Sequence, residues 1–121
     1  MLRRMLPILL VTLCAPALAA EPRVIEVTLD SYTIKPDKII VKTGESVILK
    51  VKNEASFIPH NLIIKAPQAG VEIKIDVSAG KTGEVRFTPT QPGSYEMICD
   101  KTPPIGKSHK QKGMHGTLVV E

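Results

Sequence analysis

The chain has 121 residues, of which 16 are Lys or Arg and 12 are Asp or Glu, and its formal net charge at neutral pH is +4. Without the two arginines near the N-terminus, Arg3 and Arg4, 14 basic residues stand against 12 acidic ones. This near balance gives no compositional support to nucleic-acid binding. The length is sufficient for one ordinary domain with a single hydrophobic core.

The first 20 residues have the pattern of a signal peptide. Arg3 and Arg4 form a positive segment, residues 6–13 form an apolar run, and Ala17-Leu18-Ala19 offers the small residues that a signal peptidase needs. The apolar run is shorter than the roughly 20 residues that cross a bilayer, and no later stretch approaches that length. We therefore expect residues 1–20 to be cleaved, and the protein to be periplasmic without a membrane span.

The mature domain, predicted to cover residues 21–121, contains one cysteine, Cys99. The other cysteine, Cys14, falls in the leader. It leaves a lipoprotein as an alternative, although Leu13 before it is larger than such a site normally accepts. Exported proteins normally use cysteines in pairs, so a lone thiol is a buried packing residue, an intermolecular partner or a metal ligand.

The mature chain consists of short apolar-alternating runs separated by turn residues, and no stretch holds helical periodicity with caps at both ends. The predicted strands, in chain order, are 24–29, 39–41, 46–52, 61–64, 81–87, 94–99 and 116–120. About seven or eight short strands at this spacing predict an all-β, two-sheet Greek-key β-sandwich. Residues 58–69 and 71–79 stay ambiguous, with a short helix as an alternative to a strand.

The loop between the last two predicted strands carries the residues with metal-binding chemistry. Cys99 ends one strand on the same face as Tyr95 and Met97, His109 lies in the loop, and Met114 precedes the next strand. Thiolate and thioether are soft donors and imidazole is intermediate, a mixture that suits copper better than magnesium or calcium. Two histidines and one cysteine with a weak axial methionine form the blue-copper arrangement.

This arrangement requires a second histidine from elsewhere in the chain, and His60 is the obvious candidate. It lies in the segment Pro59-His60-Asn61, directly before a predicted strand. We expect the side chain of Asn61 to form hydrogen bonds across to the Cys99 loop and to hold the two segments together. By itself a cysteine at a strand end is more often core packing, and it is the joint pattern that favours a metal site.

The spacing of these residues resembles that of the cupredoxins, the small blue-copper family that includes plastocyanin, azurin and pseudoazurin. The matching features are the run Pro36…Val41…Gly44…Val47…Val51-x-Asn53, the motif Pro59-His60-Asn61, the turn Pro92-Gly93-Ser94-Tyr95 leading to Cys99, and His109-x4-Met114. The resemblance implies a sandwich fold, one type-1 copper ion and one-electron transfer without catalysis. It also implies that His60, Cys99 and His109 are the strong ligands and that Met114 is the axial one.

The ligand loop departs from the small electron carriers of this family, because nine residues separate Cys99 from His109. In this respect it is more similar to the type-1 copper loop of copper nitrite reductases, which also carries prolines before its histidine. The chain is too short to be that enzyme, and it lacks the additional histidines that a type-2 copper would require. A CuA-type centre is disfavoured because it needs two cysteines close together.

Two alternatives stay open at this point. His115, next to Met114, could replace it as the axial ligand. Copper tolerance or copper delivery in the periplasm could replace electron transfer as the function, since a long loop allows ligands to leave one at a time.

The partner expected for a monomeric electron carrier is a redox protein. Four lysines make the ligand loop basic, and Asp100 alone offsets them within the loop; the lysines are 101, 107, 110 and 112. This loop is either a solvated segment or a docking patch for a partner with an acidic surface.

Overall fold

The structure, a computed structural model, describes residues 7–13, 21–102 and 106–121. Residues 7–13 have no regular secondary structure, and their apolar side chains are exposed. The rest of the predicted signal peptide, residues 1–6 and 14–20, lies outside the described residues, so the leader and the domain boundary stay predictions. In the described part of the chain, no helix combines the length and the apolar character needed to cross a membrane.

Nine strands make up most of the regular structure of the described residues. They are β1 (Arg23–Asp30), β2 (Thr33–Lys35), β3 (Lys38–Val41), β4 (Val47–Asn53), β5 (His60–Ala66), β6 (Val71–Val77), β7 (Thr82–Phe87), β8 (Gly93–Ile98) and β9 (His115–Val120). A single 3-10 turn, Pro67–Ala69, connects β5 to β6. All seven predicted strands are present, with boundaries shifted by at most a few residues.

The strands form two sheets, one of four strands in the order β2-β1-β4-β7 and one of five in the order β3-β9-β8-β5-β6. The pairs β1/β4 and β3/β9 are parallel, and the remaining pairs are antiparallel. Because many neighbours are distant in sequence, the chain crosses repeatedly from one sheet to the other, as Greek-key connections do. The predicted all-β two-sheet sandwich is confirmed.

The sequence prediction missed two strands, β2 and β6. Strand β6 covers most of the ambiguous region and pairs with β5 along its whole length, from His60↔Val77 to Ala66↔Val71. Its pattern alternates buried Val71, Ile73 and Val77 with exposed charged residues, as a strand on one face of a sheet requires. Pro67 and Gly70 belong to the turn before it and not to an interruption of the strand. The helical alternative reduces to that one turn.

The core lies between the two sheets and is made by alternate residues of strands from both. Its largest fully buried side chains are Leu29, Leu49, Leu62, Ile64, Met97, Met114, Leu118 and His60. At one end of the sandwich, the β1–β2 turn, the β4–β5 loop and the β8–β9 loop come together. This end holds every residue expected to bind metal.

Gly116 allows a close approach between β9 and the chain segment before β3. A Cβ at this position would lie 2.5 Å from the Asp37 carbonyl oxygen, which the Thr117 amide holds by a hydrogen bond of 2.7 Å. We therefore expect Gly116→Ala to destabilise the fold by about 1–3 kcal/mol, because a fixed backbone carbonyl cannot give way. Urea unfolding of the metal-free protein measures this loss.

Gly83→Ala is the matched control for this prediction. A Cβ at Gly83 would meet Ile75 Cδ1 at 2.6 Å, which is the end of a side chain that can rotate away. Its effect on the unfolding free energy should be clearly smaller than that of Gly116→Ala. Equal losses for the two variants would contradict the argument from the Asp37 carbonyl.

Candidate metal centre

Three buried donor atoms converge at this end of the sandwich. His60 Nδ1 lies 3.2 Å from His109 Nδ1, and Cys99 Sγ lies 3.9 Å from His60 Nδ1 and 3.5 Å from His109 Nδ1. His60 and Cys99 are fully buried, and His109 is 5% exposed. The structure thus brings together three of the four residues predicted from the sequence, within 4.8 Å of one another.

Adjacent strands of the five-stranded sheet place two of these donors. His60 is the first residue of β5, and Cys99 directly follows β8, which pairs antiparallel with β5 through Ile63↔Ile98. Because the strands run in opposite directions, the start of one lies beside the end of the other. The third donor, His109, comes from the loop, where its backbone amide donates a hydrogen bond of 2.9 Å to the Lys101 carbonyl.

Asn61 joins the His60 and Cys99 segments, as the sequence predicted. Its side-chain amide donates to Asp100 Oδ1 at 2.7 Å, and its Oδ1 accepts from the Asp100 amide at 3.0 Å. Its own backbone amide points at Cys99 Sγ, 3.4 Å away. Asn61 is buried although Asp100 is exposed, and these bonds fix the position of the sulfur relative to His60.

Met114 and His115, the two candidates for an axial position, occupy different environments. Met114 is fully buried in the same core cluster as Cys99, whereas His115 is exposed. The backbone of Met114 connects both loop donors, because its amide donates to the His109 carbonyl at 3.0 Å and its carbonyl accepts from the Cys99 amide at 3.3 Å. His115 lies outside the cluster of three donors.

Tyr32, in the β1–β2 turn, contacts the site although nothing in the sequence analysis indicated it. Its ring centroid lies 5.4 Å from that of His109, with the ring planes at 71°. This edge-to-face geometry is a favourable one for aromatic pairs. No motif marks a tyrosine in a turn some 77 positions before its partner, so only the tertiary structure reveals the contact.

Burial controls the protonation of the two histidines. Desolvation lowers the pKa of His60, and the neighbouring His109 lowers it further, while Asp30 offsets part of the effect. No hydrogen bond of ordinary geometry reaches His60 Nε2 from the described residues. Desolvation likewise lowers the pKa of His109, and the charges of Lys112 and Lys101 add to it. Both imidazoles are therefore favoured in the neutral form that binds a metal.

Two of the four loop lysines form ion pairs with carboxylates outside the loop. Lys101 pairs with Asp76 of β6 at 3.0 Å, and Lys110 pairs with Glu96 of β8 at 3.1 Å. The hydrogen bond from Lys101, together with its charge, lowers the pKa of the exposed Asp76 carboxyl. The expectation that Asp100 alone offsets the lysines holds within the loop, but the fold adds two carboxylates from neighbouring strands. Among the ion pairs between described residues, none involves Lys107.

The chemistry of the donor set fits copper. One sulfur and two imidazole nitrogens are the trigonal ligands of blue-copper sites, and here they face one another in a site closed to water. The cluster is consistent with a single type-1 copper site.

Comparison with known proteins adds evolutionary context to this geometry. The sequence model of the cupredoxin-like domain matches residues 3–120. The chain is 26% identical over 91 residues to cytochrome c oxidase subunit 2 of Thermus thermophilus, a match that covers 75% of this chain. The chain spans only 60% of the length of that relative.

Two solved structures of auracyanins are similar in fold. For dithionite-reduced auracyanin of Roseiflexus castenholzii the TM-score is 0.65 at 21% identity, covering 85% of this chain and 99% of the other. For auracyanin A of Chloroflexus aurantiacus, a "blue" copper protein, the TM-score is 0.63 at 24% identity, covering 84% and 100%. These likenesses extend over nearly the whole of both auracyanin chains and concern the fold.

The lowered pKa values of His60 and His109 predict a pH-dependent stability of the metal-free protein. In the unfolded chain both histidines take up protons near pH 6.5, whereas in the folded state they do so only at lower pH. Below pH 6.5 the unfolded state thus binds more protons, and stability should fall as the pH drops towards the folded pKa values. Urea unfolding between about pH 7.5 and 5.5 measures this loss, with a limiting slope of about 1.4 kcal/mol per pH unit and histidine.

The control for this prediction is the removal of a buried histidine. His60→Asn should reduce the slope of the pH dependence, because one buried neutral imidazole is then lost. A slope that survives in the His60→Asn/His109→Asn double variant would show that other groups cause it.

Proposed function

Since the chain belongs to the family of cupredoxin-like domains, we propose that it binds one copper ion through His60, Cys99 and His109 and transfers single electrons between partner proteins. The convergence of the three donor atoms in a site closed to water is the observation that carries this proposal. Bound copper would supply the change between Cu(I) and Cu(II) at this position. The contribution of the chain is to hold the ligands in one place for both states.

A rigid frame around the donors supports this role. Asn61 and Asp100 form two hydrogen bonds with each other beside the sulfur, and the two histidines and the thiol already contact one another. A site whose ligands are in place before the metal binds needs little rearrangement when the charge of the metal changes. Low rearrangement lowers the barrier of each transfer, which is what a carrier requires.

Met114 is proposed as the weak axial ligand. Its burial next to Cys99 and its backbone bonds to both loop donors favour it over His115, whose side chain is exposed. A thioether in this position would tune the reduction potential and contribute little to affinity.

The burial of the donors also favours electron transfer over enzymatic turnover and over copper delivery. A substrate or a copper acceptor must reach the bound metal itself, whereas an electron can tunnel to it through a thin layer of protein. His60 and Cys99 are fully buried, and two ion pairs connect the loop to β6 and β8. We propose the periplasm as the location, consistent with the predicted leader.

Copper binding can be tested on the purified domain by visible absorption after addition of Cu(II). We expect a strong sulfur-to-copper charge-transfer band and reversible reduction of the loaded protein. Cys99→Ala should abolish the band, and His109→Ala should abolish or strongly shift it, because each removes a proposed strong ligand. Met114→Leu should keep the band and raise the reduction potential, since loss of a donor disfavours Cu(II) more than Cu(I).

His115→Ala is the matched control, because it removes an exposed histidine six residues from His109 and should leave both the band and the potential unchanged. Absence of the band in the wild-type protein, or its persistence in Cys99→Ala, would refute the type-1 site. Tight Cu(I) binding combined with slow reoxidation would favour copper delivery instead.

The proposed redox partner presents an acidic surface to the lysine-bearing ligand loop. Because Asp76 and Glu96 neutralise Lys101 and Lys110, the attraction should be modest and should depend on Lys107 and Lys112, which are in none of the ion pairs between described residues. Oxidation of the Cu(I) protein by hexacyanoferrate(III), an anionic probe, should slow with added salt and in Lys107→Gln. Lys50→Gln, an exposed lysine on β4, is the control and should have a smaller effect.

A cationic cobalt(III) complex extends this test. Its reaction with the Cu(I) protein should accelerate with added salt and in Lys107→Gln, because the repulsion is then reduced. The same salt dependence for both probes would contradict a basic docking patch and leave the solvated-loop interpretation.

A further inference from the structure

Tyr32 has an unusual backbone conformation for a large side chain. Its φ is 62°, in the left-handed region, and it is the one non-glycine residue with positive φ in the described part of the chain. A bulky L-residue in this region costs free energy, and such residues persist where surrounding contacts hold them. The contacts of the Tyr32 side chain therefore indicate which interactions compensate for this free-energy cost.

The aromatic, cation–π and hydrogen-bond contacts of the Tyr32 side chain go to one turn of the ligand loop, and its ring also packs against the hydrophobic core. The Tyr32 ring packs edge-to-face with the His109 ring, and the Lys112 ammonium lies 4.2 Å from the Tyr32 ring centroid. The same ammonium donates a hydrogen bond of 3.2 Å to the Tyr32 hydroxyl. Because the Lys112 amide donates to the His109 carbonyl at 3.1 Å, both residues belong to the same turn. Tyr32 is thus held by two side chains of a single loop turn.

The His109 ring needs a support of this kind. Backbone hydrogen bonds to Lys101 and from Met114 fix the main chain of His109, but they leave the rotation of its ring free. The ring itself contacts His60 and Cys99, which are the other proposed ligands, and Tyr32. The contacts with His60 and Cys99 are contacts between the proposed ligands themselves, so they give the ring no support from outside the site. The contact with Tyr32 does not depend on the metal.

We propose that Tyr32 is a positioning residue that fixes the His109 ring in its ligand orientation and so slows the loss of copper from the loop side of the site. This inference rests on the proposed function. Tyr32 lies in the turn between two strands of the four-stranded sheet, whereas His109 lies between two strands of the five-stranded sheet. The contact between Tyr32 and His109 therefore connects the two sheets at the end of the sandwich that holds the site.

Three substitutions separate positioning from a general effect on stability. Tyr32→Phe keeps the ring and loses one hydrogen bond, Tyr32→Ala loses the ring and keeps the backbone strain, and Tyr32→Gly loses the ring and relieves the strain. Urea unfolding should therefore find Tyr32→Gly more stable than Tyr32→Ala. If Tyr32 were merely structural, copper retention would follow this stability order.

Copper retention is measured as the rate at which EDTA removes Cu(II) from each loaded variant. We expect Tyr32→Phe to resemble the wild type, and Tyr32→Ala and Tyr32→Gly to lose copper about ten-fold faster, as changes of residues behind a metal ligand typically do. The electron paramagnetic resonance spectrum should broaden in the same two variants. A Tyr32→Gly protein that retains copper as the wild type does would overturn the proposal.

The metal-free protein provides a second readout that does not depend on copper binding. NMR relaxation of the His109 ring should show greater mobility in Tyr32→Ala and Tyr32→Gly than in Tyr32→Phe, with the exposed His115 ring as the internal reference. Unchanged mobility of the His109 ring in these variants would overturn the positioning role of Tyr32. If the wild-type protein bound no copper while the His109 ring was immobilised by Tyr32, the proposed function would fail and the positioning role would stand.

Discussion

Two imidazole nitrogens 3.2 Å apart beside a thiol sulfur, all buried from water, form the constraint on which the rest of this structure depends. Burial disfavours any charge on His60 or His109, and a proton on one disfavours a proton on the other. Such a cluster is costly to bury unless something compensates for its lost hydration. A metal ion that accepts electron pairs from all three donors would provide that compensation.

Hydrogen bonds at both ends of the β8–β9 loop explain how a long loop can hold His109 in a fixed position. Its start is held by Asn61 and Asp100, and its end by the backbone bonds between Met114 and both loop donors. The ion pairs Lys101–Asp76 and Lys110–Glu96 are exposed, and each contributes little to stability. Their effect is to direct the lysine side chains towards the sheet. The backbone hydrogen bonds fix the main chain of His109, and the contact with Tyr32 orients its ring.

The same architecture relates the chain to proteins of different size. Auracyanins are matched over nearly their whole length, whereas the oxidase subunit is longer than the region matched here. Within one fold, the loop between β8 and β9 and the turn between β1 and β2 can vary while the sheets stay the same. In this chain, nine residues separate Cys99 from His109, and Tyr32 of the β1–β2 turn contacts the His109 ring.

The sequence by itself determined the fold class and three members of the cluster. The alternation of apolar and polar residues in short strands predicts a sandwich, because it is visible within each strand. The lone Cys99 with His60 and His109 predicts a soft metal site, because the chemistry of these residue types is known without the fold. The alternation of Val71, Ile73 and Val77 is typical of a strand, but the turn residues Pro67 and Gly70 before it left the assignment of β6 ambiguous. The contact of Asn61 with the Cys99 loop was predicted because it depends on the same pairing of segments as the donors, and the structure identifies Asp100 as the partner.

Only the tertiary structure decided the charge around the loop and the contacts of the His109 ring. Asp76, Glu96 and Tyr32 are distant in sequence from their partners, and nothing in their local pattern indicates a role. Their positions follow from the stacking of two sheets, which brings turns and strand faces together at one end of the molecule. The strain at Tyr32 is also a property of the folded chain, since a φ of 62° is maintained by contacts that exist only there.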